Sequence, residues 1–163
     1  MLVAFCPRDE MLWLIQSSLS PKRKTPKGPR RSVVIVDDER SYVELISQMI
    51  ADNLDCPVHA FTRPSEALAS LDRVAAGVIV TDYFMPEMDG VEFIKRASKI
   101  SPKAVFIMIS GHNLEPIERE LARLRRLKMR LQKPFGWRPL ADAVIKVWPG
   151  ADAPGFRPQD LDG

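Results

Sequence analysis

The sequence predicts an α/β domain in which five parallel strands form one sheet with helices on both faces. Five short apolar runs alternate along the chain with segments of helical periodicity, and the connections between them are short. Alternation of this kind requires right-handed crossovers in a doubly wound sheet. A chain of 163 residues, 45% of them apolar, is long enough for one such core.

The first strand is the clearest element. Residues 33–36 are a continuous β-branched run, which is typical of a strand covered on both faces, and the acidic residues 37–39 follow it directly. The next segment has helical periodicity and one apolar face, formed by Val43, Ile46 and Ile50.

The second strand–helix unit is weaker. A strand is predicted over 57–61 and a short helix over 65–71, with Thr62 as the expected N-cap ahead of Pro64. A third strand over 77–81 is short, apolar and β-rich, and it carries Asp82 at its carboxyl end.

The loop after the third strand is unusual. Pro86 has no N–H and Gly90 tolerates a positive φ, so the chain is expected to turn here before a helix runs from about Asp89 to Lys99. Asp82 is therefore either a reactive carboxylate on a rigid strand tip or an ordinary loop residue.

Two more units complete the pattern. The fourth strand, 104–109, stops at Ser110, and the helix that follows has an apolar stripe at Ile117, Leu121 and Leu124. The fifth strand, 129–132, is short and interrupted by Arg130, and Lys133 follows it. The last helix is marked by apolar residues at Leu140, Ala143, Val144 and Val147.

Two flanking segments differ in composition from residues 32–148. Residues 1–31 hold seven basic and two acidic residues; a short amphipathic helix is expected over 10–19, then a flexible basic linker. Residues 149–163 are rich in Pro, Gly and Asp and are expected to be disordered. The basic excess is thus local, which disfavours nucleic acid as a partner.

Several classes of protein are disfavoured. Cys6 and Cys56 have neither a metal-ligand spacing nor a disulfide framework, so each is expected to be a free thiol. No apolar run reaches the roughly 18 residues needed to span a bilayer, and the N-terminus lacks the order of a signal peptide. The expected location is the cytoplasm, without a membrane contact.

Polar groups end four of the five predicted strands. Asp37 and Asp38 follow the first, Asp82 the third, Ser110 the fourth and Lys133 the fifth. The carboxyl ends of parallel strands share one edge of the sheet, so these groups can converge. A divalent cation such as Mg²⁺, together with phosphate, would suit several carboxylates beside a lysine and a hydroxyl.

Residues 32–148 resemble the receiver domain of bacterial two-component response regulators. The resemblance rests on four motifs in order: 36–39, Asp82 to Gly90 with its Met-Pro and Met-Asp-Gly, Ser110-Gly111, and Lys133-Pro134-Phe135. It implies a flavodoxin-like (βα)₅ fold with strand order 2-1-3-4-5. It also implies a signalling switch with self-catalysed phosphorylation and dephosphorylation, rather than a conventional enzyme.

The resemblance implies a role for each site residue. Asp82 would accept a phosphoryl group from the phosphohistidine of a sensor histidine kinase or a histidine phosphotransfer protein. Asp37, Asp38, Asp82 and the Phe84 carbonyl would hold Mg²⁺. Ser110 would move toward the phosphate and Lys133 would pair with it. A downstream protein would bind the face made by the fourth helix, fifth strand and fifth helix.

The sequence departs from the family pattern in three ways. Arg130 stands where the family usually has an aromatic residue, which puts the usual signalling step in question. The stretch before it, 123–130, is strongly basic and lacks the usual Gly-Ala. The chain also ends soon after the fifth helix, so a stand-alone receiver is expected.

Two alternatives stay open. A pseudo-receiver would keep the fold and bind a protein constitutively, without the chemistry. A Mg²⁺-dependent phosphohydrolase with an Asp nucleophile is less favoured, because such enzymes typically carry a second acid two residues after the nucleophile, where this chain has Phe84.

Overall fold

A computed structural model describes residues 30–157, which form a five-stranded parallel sheet with helices on both faces. The strands are β1 Ser32–Val36, β2 Val58–Phe61, β3 Ala76–Asp82, β4 Val105–Ser110 and β5 Leu127–Gln132. The helices are α1 Arg40–Asn53, α2 Pro64–Ser70, α3 Gly90–Ile100, α4 Glu118–Leu121 and α5 Trp137–Val147. The strand order is β2-β1-β3-β4-β5, so the predicted flavodoxin-like fold is confirmed.

The core lies in two layers because successive strand residues point to opposite faces of the sheet. In β1, Val33 and Ile35 pack in the layer beneath α1 and α5, whereas Val34 and Val36 pack in the layer beneath α2 and α3. All four are fully buried. The central strands are covered on both sides, which explains their unbroken apolar runs.

The loop between β3 and α3 is tied down at both ends. The Asp89 side chain accepts a hydrogen bond from the Glu92 N–H at 2.8 Å and caps α3, near the predicted helix start. Gly90 is the first residue of α3, and its φ is not positive. The predicted reason for this glycine was therefore wrong: a Cβ here would lie only 2.5 Å from the Asp82 carbonyl oxygen.

The fourth helix is shorter than predicted and the fifth strand is longer. A 3₁₀ turn over Glu115–Ile117 leads into α4, which ends at Leu121 instead of reaching Leu124. Beyond Leu121 the N–H of Leu124 bonds the carbonyl of Leu121, and the N–H of Leu127 bonds that of Leu124. These tighter bonds end the α-helix and turn the chain into β5 two residues earlier than expected.

The expected Thr62 cap on α2 is also wrong. Arg63 occupies the N-cap position and its side chain makes no capping bond. Instead Glu87, from the loop after β3, accepts a hydrogen bond from the Ser65 N–H at 3.3 Å and pairs with the Arg63 Nε at 2.6 Å. This carboxylate joins the start of α2 to the loop that follows Asp82.

The prediction that order ends after Trp148 is wrong for residues 149–157. Phe156 forms an antiparallel bridge with Leu54, at the end of α1. The Asp55 N–H donates to the Gly155 carbonyl at 3.0 Å, and the Arg157 N–H donates to the Asn53 carbonyl at 2.8 Å. The segment therefore packs back along the end of α1, where its backbone finds hydrogen-bond partners that composition alone does not reveal.

The predicted helix over 10–19, most of the basic linker, Cys6 and residues 158–163 lie outside the described residues. Cys56 is a buried free thiol, as predicted. Among residues 30–157, no helix is both long enough and apolar enough to cross a bilayer.

Candidate functional site

The polar groups predicted at the strand ends do lie at one edge of the sheet. Asp37 directly follows β1, Asp82 ends β3, Ser110 ends β4 and Lys133 follows β5. All neighbouring strands pair in parallel, so these four positions share the carboxyl edge.

Lys133, Asp37 and Asp82 form a cluster of two ion pairs in the middle of this edge, the ion-pair centre. The Lys133 ammonium lies 2.6 Å from Asp37 Oδ2 and 2.8 Å from Asp82 Oδ1. The two carboxylates are nearly buried, with side-chain exposures of 2% and 8%, and the lysine side chain is 20% exposed. One cation thus faces two buried anions.

All four oxygens of the two carboxylates accept hydrogen bonds. Those not bonded to the lysine accept from backbone N–H groups: Asp37 Oδ1 from Glu39 at 2.9 Å, and Asp82 Oδ2 from Phe84 at 2.6 Å. Such bonds reduce the free-energy cost of burying a charged carboxylate, and they fix its orientation. Asp82 is therefore held in one position at the tip of the central strand.

The charges of Asp82 and Lys133 shift each other's protonation. Burial raises the pKa of Asp82 above its ordinary value and the Asp37 carboxylate adds to the rise, while Lys133 and the Phe84 N–H oppose it. Burial alone lowers the pKa of Lys133, but its hydrogen bonds to Asp37 and Asp82 outweigh this and the pKa is raised. Lys133 is therefore protonated at neutral pH, and the Asp82 carboxylate binds a proton more readily than an ordinary aspartate does.

Ser110 stands beside this centre with its hydroxyl turned to the following loop. The Ser110 Oγ accepts a hydrogen bond from the His112 N–H at 3.0 Å and lies 3.2 Å from the His112 carbonyl, to which it donates. The Lys133 N–H donates to the Ser110 carbonyl at 2.8 Å, which joins the ends of β4 and β5. The hydroxyl is placed at the site, though it contacts neither carboxylate.

The predicted metal ligands are only partly brought together. Asp37 and Asp82 share the Lys133 ammonium, whereas Asp38 is exposed to solvent. Within residues 30–157, no three His, Cys, Asp or Glu side chains are placed to share one cation. The donor chemistry of the two buried carboxylates and exposed Asp38, oxygen throughout, nevertheless fits Mg²⁺.

Two residues near the site, Tyr42 and Glu87, were not identified from the sequence. Tyr42 lies in the first turn of α1, and the Lys133 ammonium sits 4.1 Å from the centre of its ring. Its pKa is raised to about 12, mainly by burial, with Lys133 acting in the opposite direction, so the hydroxyl is protonated at neutral pH. A signal for it existed: α1 starts at the sheet edge, so side chains of its first turn can face the site. Glu87 gave no comparable signal.

Arg130 lies on β5 with its guanidinium outside the ion-pair centre. It is exposed and forms a two-point ion pair with Glu118 of α4, in which Nη2 lies 3.1 Å from Oε1. Planar guanidinium–carboxylate pairing of this kind fixes geometry. The pair joins α4 to the edge strand.

The sequence profile of the response regulator receiver domain matches residues 33–145. TodT, a response regulator protein of Pseudomonas putida, is 30% identical over 89 residues, which span 54% of this chain and 39% of TodT. The response regulator receiver protein CpdR of Brucella abortus is 31% identical over 87 residues, 53% of this chain and 72% of CpdR.

Solved structures agree at the level of the fold. The structure of Vibrio cholerae chemotaxis protein CheY4 superposes with a TM-score of 0.66 and 24% identity, covering 73% of this chain and 99% of CheY4. The profile matches well over half of the chain and includes every strand-end residue discussed above, so the chain belongs to the response regulator receiver domain family.

Proposed function

We propose that this receiver domain is a phosphoacceptor switch in a two-component phosphorelay, with Asp82 as the acceptor. The donor would be the phosphohistidine of a sensor histidine kinase or a histidine phosphotransfer protein. The proposal rests chiefly on the nearly buried Asp82 carboxylate at the tip of the central strand, paired with Lys133 at 2.8 Å. A rigid, basic carboxylate beside a cation is suited to attack phosphorus.

The transfer assigns a role to each neighbour. An Asp82 oxygen forms a bond to phosphorus as the P–N bond of the phosphohistidine breaks, and the electron pair of that bond returns to the imidazole. Lys133 then pairs with a phosphoryl oxygen, and the Ser110 hydroxyl turns from His112 to donate to another. The phosphoryl group reacts through positioning and charge stabilisation, which these groups supply.

The proposed function also includes a Mg²⁺ ion bound at this site. The Asp37, Asp38 and Asp82 side chains with the Phe84 carbonyl would hold it, and when bound it would neutralise charge on the phosphoryl oxygens. Asp38 is exposed beside Asp37, so its side chain can turn toward the site without unpacking the core.

The output surface is proposed to be the α4–β5–α5 face, where a downstream protein binds. Between residues 119 and 130 the chain carries six basic residues and one acidic residue. Apart from Arg130 and its Glu118 partner, these basic groups have no carboxylate partner among the described residues. Arg125, Lys128 and Arg130 line a groove of about 300 Å³ between α4 and β5. This charge favours an acidic protein partner, with nucleic acid as the less favoured alternative.

Acyl-phosphate labelling tests the acceptor. Incubated with Mg²⁺ and acetyl phosphate, the protein is expected to gain one phosphoryl group by intact mass, and to gain none in EDTA. Asp82→Asn should abolish the gain, because the nucleophile is lost. Ser110→Ala should still be labelled, and so should the control Asp72→Asn, which changes an exposed aspartate after α2.

The results separate the alternatives. Full labelling of Asp82→Asn would show that a residue other than Asp82 accepts the phosphoryl group. A wild-type protein that takes up no phosphoryl group, while it remains folded, would favour the constitutive pseudo-receiver.

The basic face gives a second expectation. The association rate with the downstream partner should fall as ionic strength rises, because electrostatic steering is screened. Stopped-flow mixing should show slower association, by about tenfold at low salt, for the triple variant Arg123→Gln, Arg125→Gln, Arg126→Gln. The control variant Arg40→Gln, Arg96→Gln removes two arginines that are paired with Glu44 and Glu92. Equal rates for both variants would exclude this face, and a mobility shift with duplex DNA would point to nucleic acid instead.

A further inference from the structure

The lysine of the ion-pair centre has a third neighbour besides the two carboxylates. Its ammonium lies 4.1 Å from the centre of the Tyr42 ring. A cation over an aromatic face is attracted by the negative potential of the ring, and the attraction is stronger where water is partly excluded. Asp37 and Asp82 therefore hold the ammonium through hydrogen bonds, and Tyr42 holds it through its face.

The ring is itself fixed in place. It packs edge-on against Phe135, with ring centres 6.2 Å apart and planes at 77°, and it contacts the core layer beneath α1 and α5. Its hydroxyl is buried and has no hydrogen-bond partner within residues 30–157. A buried hydroxyl without a partner is unfavourable, so what this side chain contributes to the site is its ring.

A ring contact has a property that suits phosphoryl transfer. The four-carbon stem of lysine is flexible, and ordering it costs rotamer entropy. When Asp82 gains a phosphoryl group, Lys133 must redirect an N–H from a carboxylate oxygen to a phosphoryl oxygen. The attraction to a ring face does not depend on which N–H points where, so it can hold the ammonium while its hydrogen bonds are exchanged.

We propose that Tyr42 is a positioning residue for Lys133, acting through its ring face. The contact itself stands on the geometry above. Its consequence for phosphoryl transfer rests on the proposed function, so the contact and the consequence need separate experiments.

A double-mutant cycle tests the contact without any phosphorylation. Urea unfolding is measured for the wild type, Tyr42→Leu, Lys133→Met and the double variant, in EDTA. The two substitutions are expected to couple by about fivefold in the unfolding equilibrium constant. Either substitution alone already removes the ring–ammonium attraction, so the double variant loses less than the sum of the two single losses. The same cycle with Tyr42→Phe should show no coupling. Additive effects of Tyr42→Leu and Lys133→Met would overturn the proposal.

The labelling rate with Mg²⁺ and acetyl phosphate tests the consequence. Tyr42→Leu should lower the rate constant at saturating acetyl phosphate by about fivefold and leave the half-saturating concentration unchanged, whereas Tyr42→Phe should restore the rate. In a Lys133→Met background, Tyr42→Leu should cause no further loss. A merely structural role would instead give a further loss in that background, and an equally slow Tyr42→Phe would assign the effect to the hydroxyl; either result rejects the proposal. If wild-type protein is not labelled at all, the proposed function fails, and the unfolding cycle still decides the contact.

Discussion

Lys133→Met is expected to lower the free energy of unfolding by about 3 kcal/mol at pH 7 without metal. The substitution keeps an unbranched apolar side chain, and it removes the one cation among residues 30–157 that lies within hydrogen-bond distance of both Asp37 and Asp82. Two nearly buried carboxylates are then left facing each other, each retaining a single backbone hydrogen bond. An uncompensated buried charge is far more costly than a lost surface ion pair. Urea unfolding followed by circular dichroism measures the difference.

A matched control separates burial from charge. Lys95 pairs with Glu120 at 2.9 Å, but both side chains are 47% exposed. Lys95→Met should therefore leave the free energy of unfolding nearly unchanged. Equal losses for the two variants would mean that the buried position of Lys133 is unimportant.

The loss should depend on pH in a defined direction. Burial and the neighbouring Asp37 already raise the pKa of Asp82, and removal of Lys133 raises it further. A carboxyl with a raised pKa takes up a proton on folding between its unfolded-state pKa, about 4, and its folded-state pKa. Within that window the folded state binds more protons, so stability rises as pH falls. Lys133→Met should thus recover part of its loss between pH 7 and pH 4.

Asp82→Asn removes one of the two nearly buried anions. In the wild type it should raise stability by about 1 kcal/mol at pH 7, since the buried carboxylate is ionised there at a cost. In the Lys133→Met background the gain should be larger, about 2 kcal/mol, because Asp37–Asp82 repulsion is then unopposed. A destabilising Asp82→Asn in both backgrounds would show that the two carboxylates do not repel each other across one site.

Much of the sheet was predictable because its strands are covered on both faces. A strand such as β1 must be apolar at every position, and the run 33–36 has this pattern. The convergence of Asp37, Asp82 and Lys133 followed from the same cause, since parallel strands bring their carboxyl ends to one edge. Strand order, by contrast, came from the family resemblance and not from the pattern.

The features that were missed depend on contacts between distant parts of the chain. Periodicity at Ile117, Leu121 and Leu124 predicts a longer α4, but the turns after Leu121 are set by the need to enter β5 beside β4. The order of residues 149–157 depends on backbone pairing with the end of α1. Local composition carries no information about such partners.

Gly90 is needed because α3 starts against the end of β3, and not because its backbone has a positive φ. The sequence suggested a positive φ, yet Gly90 lies at the start of α3 without one. A Cβ at this position would approach the Asp82 carbonyl oxygen to 2.5 Å and the Tyr83 Cα to 3.0 Å. Both atoms are backbone, so neither can rotate away. The absence of a side chain lets α3 pack directly against the end of β3.

Gly90→Ala is therefore expected to lower the free energy of unfolding by about 3 kcal/mol, because either α3 or the end of β3 must move to admit the methyl group. The backbone that moves carries Asp82, so the rate of acyl-phosphate labelling should fall as well in the variant that remains folded. Gly111→Ala is the control: a Cβ there would meet no atom within 4 Å, so its stability should stay within about 1 kcal/mol of the wild type. Thermal and urea melts of both variants make the comparison. If the two alanine variants are equally stable, the close approach of α3 to the end of β3 does not explain the glycine.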